Sequence, residues 1–128
     1  MTTAYLDVSA LVKLALSEAE SGAVQKFIDE IDEVVTSRIG IVETRRAVAR
    51  SAGTDAGADV PLASVAAIEL DPAIAATAAV LQPQGLRTLD AIHLATALTL
   101  YNVDAFVTYD SRLADAARSL GFAVASPT

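Results

Sequence analysis

Apolar positions change their spacing several times along the chain, and those changes divide it into alternating short strands and helices. Residues 4–7 (Ala-Tyr-Leu-Asp) form a short run that ends on an acid and reads as a strand. Ser9 then serves as N-cap for a helix whose apolar positions are Leu11, Val12, Leu14, Ala15 and Leu16. Residues 21–31 place Val24, Phe27, Ile28 and Ile31 at helical spacing, and the β-branched run at 34–37 predicts a second strand. Residues 39–50 are helical and carry Glu43, with Ala47 and Arg50 one and two turns later. Residues 52–61 lack any period and read as a loop, while 65–70 admit either strand or helix. Asp71-Pro72 opens a helix through Leu81, which Pro83 and Gly85 end. Thr88 caps a helix over 89–101, with Leu94, Ala97, Leu98 and Tyr101 as its buried face. A strand at 105–108, a helix at 111–120 stopped by Gly121, and a final strand at 122–124 complete the chain. The alternation predicts an α/β fold, a mostly parallel sheet of four to five strands between layers of helices.

Composition narrows this picture. A chain of 128 residues fits one domain over 1–128 and can bury a real core. With 53% hydrophobic residues but only three Phe, three Tyr and no Trp, that core must be built from Ala, Val, Leu and Ile. No apolar stretch approaches the roughly 18–20 uncharged residues of a membrane-spanning helix. Asp7 interrupts the first apolar run, so no secretory signal is expected. The absence of cysteine excludes disulfides, thiolate metal sites and cysteine nucleophiles, and makes a reducing cytoplasm the default compartment.

A net charge of −7 argues against a nucleic-acid binder that works by basic charge alone. The lysines are only Lys13 and Lys26, whereas the arginines are grouped: Arg45, Arg46 and Arg50 on one segment, Arg87, Arg112 and Arg118 near the later acids. A nucleic-acid partner would require divalent cations and a local arginine patch to offset the acidic average.

Four acids sit in or beside apolar segments instead of charged loops: Asp7, Glu43, Asp90 and Asp110. A carboxylate near a core is costly unless it is paired, hydrogen-bonded or bound to a cation. Each has an ordinary explanation. Asp7, Asp90 and Asp110 suit helix starts, and Glu43 can pair with Arg46 or Arg50. Caps do not explain why the acids agree in location. Asp7 and Asp110 fall at the carboxyl ends of strands, where open α/β sheets gather ligands, and all four can reach one rim. Converging carboxylates bind hard cations such as Mg²⁺ or Mn²⁺. His93, one turn after Asp90, reads as a hydrogen-bonded packing residue, and Tyr5 and Tyr109 as core or rim packing.

The motif contexts resemble the PIN-domain ribonucleases and, in size and layout, the VapC-type toxins of type II toxin–antitoxin pairs. Residues 5–13 (Tyr-Leu-Asp-Val-Ser-Ala-Leu-Val-Lys) are similar to that family's opening strand, and Glu43-Thr44-Arg45-Arg46 to its second acidic motif. Residues 86–97 (Leu-Arg-Thr-Leu-Asp-Ala-Ile-His-Leu-Ala-Thr-Ala) carry the third acid, and 106–113 (Phe-Val-Thr-Tyr-Asp-Ser-Arg-Leu) the fourth. The resemblance implies a three-layer α/β/α fold and a Mg²⁺- or Mn²⁺-dependent endoribonuclease. Asp7 and Asp90 would be core metal ligands, Glu43 and Asp110 would complete the site directly or through waters, and Ser9 and Thr108 would lend polar support. Arg87 and Arg112 flank motif acids and are the expected RNA contacts. The resemblance also implies a homodimer and a VapB-type antitoxin whose basic C-terminal segment covers the acids. Residues 52–64 depart from the family pattern, since the second helix of the usual pair is short or irregular here.

Three rivals make different demands. A phosphatase with an aspartyl nucleophile needs a second acid two residues after the first, where this chain has Ser9. A receiver domain needs a late lysine, and both lysines here precede residue 27. A catalytically silent PIN scaffold that binds a protein partner would not need the full set of acids.

Overall fold

A computed structural model describes residues 1–128. Its centre is a five-stranded sheet in which every neighbouring pair is parallel. The strands are β1 (Thr3–Leu6), β2 (Glu33–Ser37), β3 (Ala66–Ile68), β4 (Ala105–Val107) and β5 (Val124–Ala125), in the order β3-β2-β1-β4-β5. Seven helices cover it: α1 (Val8–Ala15), α2 (Ser21–Asp29), α3 (Arg38–Ala52), α4 (Asp59–Leu62), α5 (Pro72–Val80), α6 (Thr88–Leu98) and α7 (Ser111–Ser119). The result is the expected three-layer α/β/α sandwich. Its central strands β1 and β4 are buried throughout, as expected of parallel strands between two helix layers.

Strand alternation assigns the two faces. Ala4, Leu6, Ala105 and Val107 point to one layer and pack with Leu11, Val24, Val48 and Leu62 from α1, α2, α3 and α4. Tyr5 and Phe106 point to the other and pack with Leu94 and Ala97 of α6 and Leu113 and Ala117 of α7. The Tyr5 and Phe106 rings stack at 5.2 Å between centroids.

Several boundaries differ from the sequence expectation, each for a local reason. The cap of α1 is Asp7, not Ser9: the Asp7 carboxylate accepts from the Ala10 N–H, and helical geometry begins at Val8. Thr88 is the first residue of α6, not its cap. That helix ends at Leu98, so Tyr101 falls beyond it and is fully exposed, and Leu98 is exposed too. Its buried face is Ala91, His93, Leu94, Ala95, Thr96 and Ala97. Residues 66–68 resolve the open choice in favour of a strand. The stretch read as a loop holds a 3-10 turn at Ala56–Ala58 and the single-turn α4. Ion pairs from Arg45 to Asp55 (3.1 Å) and Asp59 (2.8 Å) tie it to α3, contacts that periodicity cannot register.

Candidate functional site

From β1 the chain builds outward to β2 and β3, then returns to place β4 on the other side of β1. The order therefore reverses between β1 and β4, and the crevice beyond their carboxyl ends is where this architecture accepts ligands. The register pairs Leu6 with Val107, which sets the next residues, Asp7 and Thr108, side by side at that crevice. Thr108 Oγ1 donates to Asp7 Oδ2 at 2.6 Å. Asp7 Oδ1 accepts from Ser9 Oγ at 2.7 Å and from the Ala10 N–H at 3.0 Å. The supporting hydroxyls are engaged in turn. Ser9 Oγ accepts from the Tyr109 N–H at 2.8 Å, and Thr108 Oγ1 from the Asp110 N–H at 3.1 Å. Asp110 caps α7, its Oδ1 accepting from Arg112 and Leu113 N–H groups. Cap and site coincide here, because the carboxyl end of a parallel strand is also where the next helix starts.

Asp7 is only 2% exposed. Burial raises its pKa, and the hydrogen bonds from Ser9, Thr108 and Ala10 work in the opposite direction. Asp90 occupies the first turn of α6. Partial burial raises its pKa too, and the charge of Asp110 and, more weakly, that of Asp7 push it further; His93 and Arg87 oppose the shift. Asp90 thus feels the charges of both Asp110 and Asp7 at the switch point. Beside them a groove of about 710 Å³ is lined by Arg87, Asp90 and Arg112.

Glu43 reaches the same region from the other helix layer. It shares a groove of about 820 Å³ with Ser9, Tyr109 and Arg46. Its partner is His93, not Arg46 or Arg50, the ordinary alternative for this acid: Oε1 lies 2.8 Å from His93 Nε2, and Nδ1 of the same ring is 2.7 Å from the Tyr5 hydroxyl. Tyr5, read as packing, is therefore also a hydrogen-bonding member of the site. Gly40 is the other residue that periodicity passed over. A Cβ there would collide with Thr36 Oγ1 and lie 3.1 Å from His93 Cε1. The only clue in the sequence is a glycine inside a helix, which costs roughly 1 kcal/mol in propensity. Gly40→Ala should lower stability by about 1–3 kcal/mol despite the better helix former, because overpacking outweighs propensity; a denaturant midpoint equal to or above wild type would contradict this.

The donors suit a hard divalent ion. All are oxygens, Asp90 feels the charges of Asp110 and Asp7, and two of the acids follow neighbouring strand ends. No three acidic or imidazole side chains are gathered tightly enough to hold an ion by themselves. Mg²⁺ keeps several waters and takes one or two carboxylates directly. In such an arrangement Asp7 and Asp90 would hold the ion, with Asp110 and Glu43 acting through water.

Comparison with known proteins agrees with the architecture. The PIN domain family model matches residues 4–119. The chain is 44% identical over 130 residues to "Ribonuclease VapC35" of Mycobacterium tuberculosis, covering 96% of each chain. It is 41% identical over 135 residues to "Ribonuclease VapC46" of the same organism, covering both in full. Among solved structures, Mycobacterium tuberculosis VapC20, described as a sarcin-ricin loop cleaving toxin, superposes with a TM-score of 0.76 at 16% identity, over 98% of this chain and 99% of that one. Rickettsia felis VapBC2, solved on a DNA fragment from its promoter, gives 0.75 at 13% identity, over 99% and 100%. With its whole sandwich, its four acidic motifs in order and full-length relatives above 40% identity, the chain belongs to the PIN-domain family and, within it, to the VapC-type ribonucleases.

Proposed function

We propose that this protein is the toxin of a type II toxin–antitoxin pair, a Mg²⁺- or Mn²⁺-dependent endoribonuclease. The observation that carries this reading is Asp7, held at the β1/β4 switch point by Ser9, Thr108 and the Ala10 N–H, with Asp90 close by, its charged form disfavoured first by burial and then by the charges of Asp110 and Asp7. When bound, the ion would supply an activated water and neutralise charge on the phosphodiester. The chain's own residues do the rest. Ser9 and Thr108 fix both oxygens of Asp7, and α7 fixes Asp110 through its cap. Arg87 and Arg112, on the rim of the groove beside Asp90, meet the phosphates of a single-stranded or looped RNA.

The partner is a VapB-type antitoxin whose basic segment covers the acids, in keeping with the net charge of −7. Relatives of this fold were solved as toxin–antitoxin complexes, from Klebsiella pneumoniae and Rickettsia felis among others. A homodimer is supported by α5, whose exposed residues are apolar except for Thr77: only Ile74 is buried, and Val80 is 75% exposed. No helix is long and apolar enough to cross a membrane, in keeping with work in the cytoplasm.

The test is incubation of purified protein with total RNA and mapping of the new ends. Cleavage with Mg²⁺ or Mn²⁺ that stops in excess chelator is expected. Undiminished cleavage in chelator, or none with either metal, overturns the reading. For the arginines, Arg87→Ala and Arg112→Ala should each weaken RNA binding across sequences and flatten the dependence of log K on log salt by about 0.7. An unchanged slope in both variants would remove them from the RNA path.

A further inference from the structure

The bond between Glu43 and His93 joins the two helix layers across the carboxyl edge of the sheet, since α3 packs on one face and α6 on the other. Its far end rests in the sheet itself, on Tyr5. Resting on the nuclease reading above, we infer that Tyr5 and His93 form a positioning pair that orients the carboxylate of Glu43, holding one oxygen and leaving the other free for the site.

The direction of the hydrogen bonds follows from the donors available. Glu43 as a carboxylate can only accept, so the N–H of a neutral ring lies on Nε2 and Nδ1 is left as an acceptor. The Tyr5 hydroxyl, 2.7 Å from Nδ1, donates to it. The ring's N–H then lies on Nε2, where it donates to Glu43 Oε1 at 2.8 Å. A carboxylate accepts and cannot donate, so the arrangement is consistent at every link. Oε2 of Glu43 accepts from no group in the chain.

Three contacts keep the pair rigid. Tyr5 stacks on Phe106 and meets the His93 ring edge-on, at 76° and 5.8 Å between centroids. His93 is 1% exposed and has no room to turn. Gly40 lets the first turn of α3 lie against the imidazole, which brings Glu43, one turn later, to Nε2. A glutamate has three side-chain torsions to lose, so an acid held beforehand reaches its working geometry at lower entropic cost.

His93 is the chain's one histidine, so both ring ¹⁵N signals belong to it, and their couplings to Hδ2 and Hε1 tell Nε2 from Nδ1. In the wild type those signals should place the proton on Nε2. In Tyr5→Phe, where Nδ1 loses its donor, they should shift toward a mixture of tautomers. The same variant should lose about tenfold in kcat, with the KM for RNA within about twofold and the fold retained. Among replacements of His93, His93→Gln can still offer an N–H near the Nε2 position and should keep more activity than His93→Leu, which fills space only. A wild-type ring protonated on Nδ1, a kcat for Tyr5→Phe within about twofold of wild type, or equal activity of the Gln and Leu variants would overturn the inference. If the wild type cleaves no RNA, the nuclease reading falls, and the ring signals still decide the tie on their own.

Discussion

Asp7→Asn is expected to lower RNA cleavage by about 10³-fold or more while leaving the protein folded. The amide retains one carbonyl oxygen, enough to accept from the Ala10 N–H and from Ser9, so the cap of α1 survives. On the other side the new NH₂ faces Thr108, whose hydroxyl can turn and accept. What disappears is the charge at the switch point. Asp7→Ala is a different experiment: three donors lose their acceptor, at a cost of about 1–3 kcal/mol each if they stay buried without a partner. Comparing the two by circular-dichroism melting and end-mapped cleavage separates the cap from the chemistry. A purified Asp7→Asn protein that cleaves like wild type would remove Asp7 from the reaction.

Asp90→Asn should also abolish cleavage, yet make the metal-free protein more stable than wild type. Asp90 benefits from the α6 N-terminus, a contribution of about 0.3–1 kcal/mol. Against this stand partial burial and the neighbouring charges of Asp110 and Asp7, and its raised pKa shows that the balance disfavours the ionised form. A neutral amide escapes that penalty. Mn²⁺ should reverse the order. An ion at a hundred times its Kd stabilises the folded state by about 2.7 kcal/mol, and the variant, lacking a charged ligand, gains little. Melting each protein in chelator and in Mn²⁺ reads both effects. A variant less stable than wild type in chelator would deny the repulsion, and equal Mn²⁺ shifts would deny the role of Asp90 in holding the ion.

The two variants behave differently because the site is not uniform. Asp7 is cradled by three donors and Asp90 has no hydrogen-bonding partner in the chain, so only the second is exposed to the full repulsion of its neighbours. Neither fact can be read from spacing. The sequence places an acid at the end of an apolar run in both cases, and a cap explains both equally well.

Legibility varied with the range of the interactions. The first strand, read over 4–7 and observed over Thr3–Leu6, the helix opened by Asp71-Pro72 and the stop at Gly121 depend on neighbouring residues, and all are readable. The end of α6 was not. Leu98 and Tyr101 continue the apolar spacing, but the helix closes at Leu98 and both side chains meet solvent. The segment after α3 reads as a loop with a short or irregular second helix, and the structure has a 3-10 turn and the single-turn α4, held by Arg45 reaching Asp55 and Asp59. His93 reads from sequence as a packed polar residue. Its two partners lie 88 and 50 residues away, beyond any local pattern.

By itself the sequence determined the alternation of strands and helices, the parallel sheet and the four acids in their motif order. Those follow from apolar period and chain direction, which are local and repeat along the chain. Only the tertiary structure decided that Asp7 and Thr108 stand side by side, because that depends on the β1–β4 register and on the reversal of strand order beside β1. It alone decided that Glu43 answers to a histidine and not to its arginine neighbours. A missing Cβ at Gly40 lets two helices from opposite layers approach, and a spacing of that kind is set by packing in three dimensions, with no period to announce it.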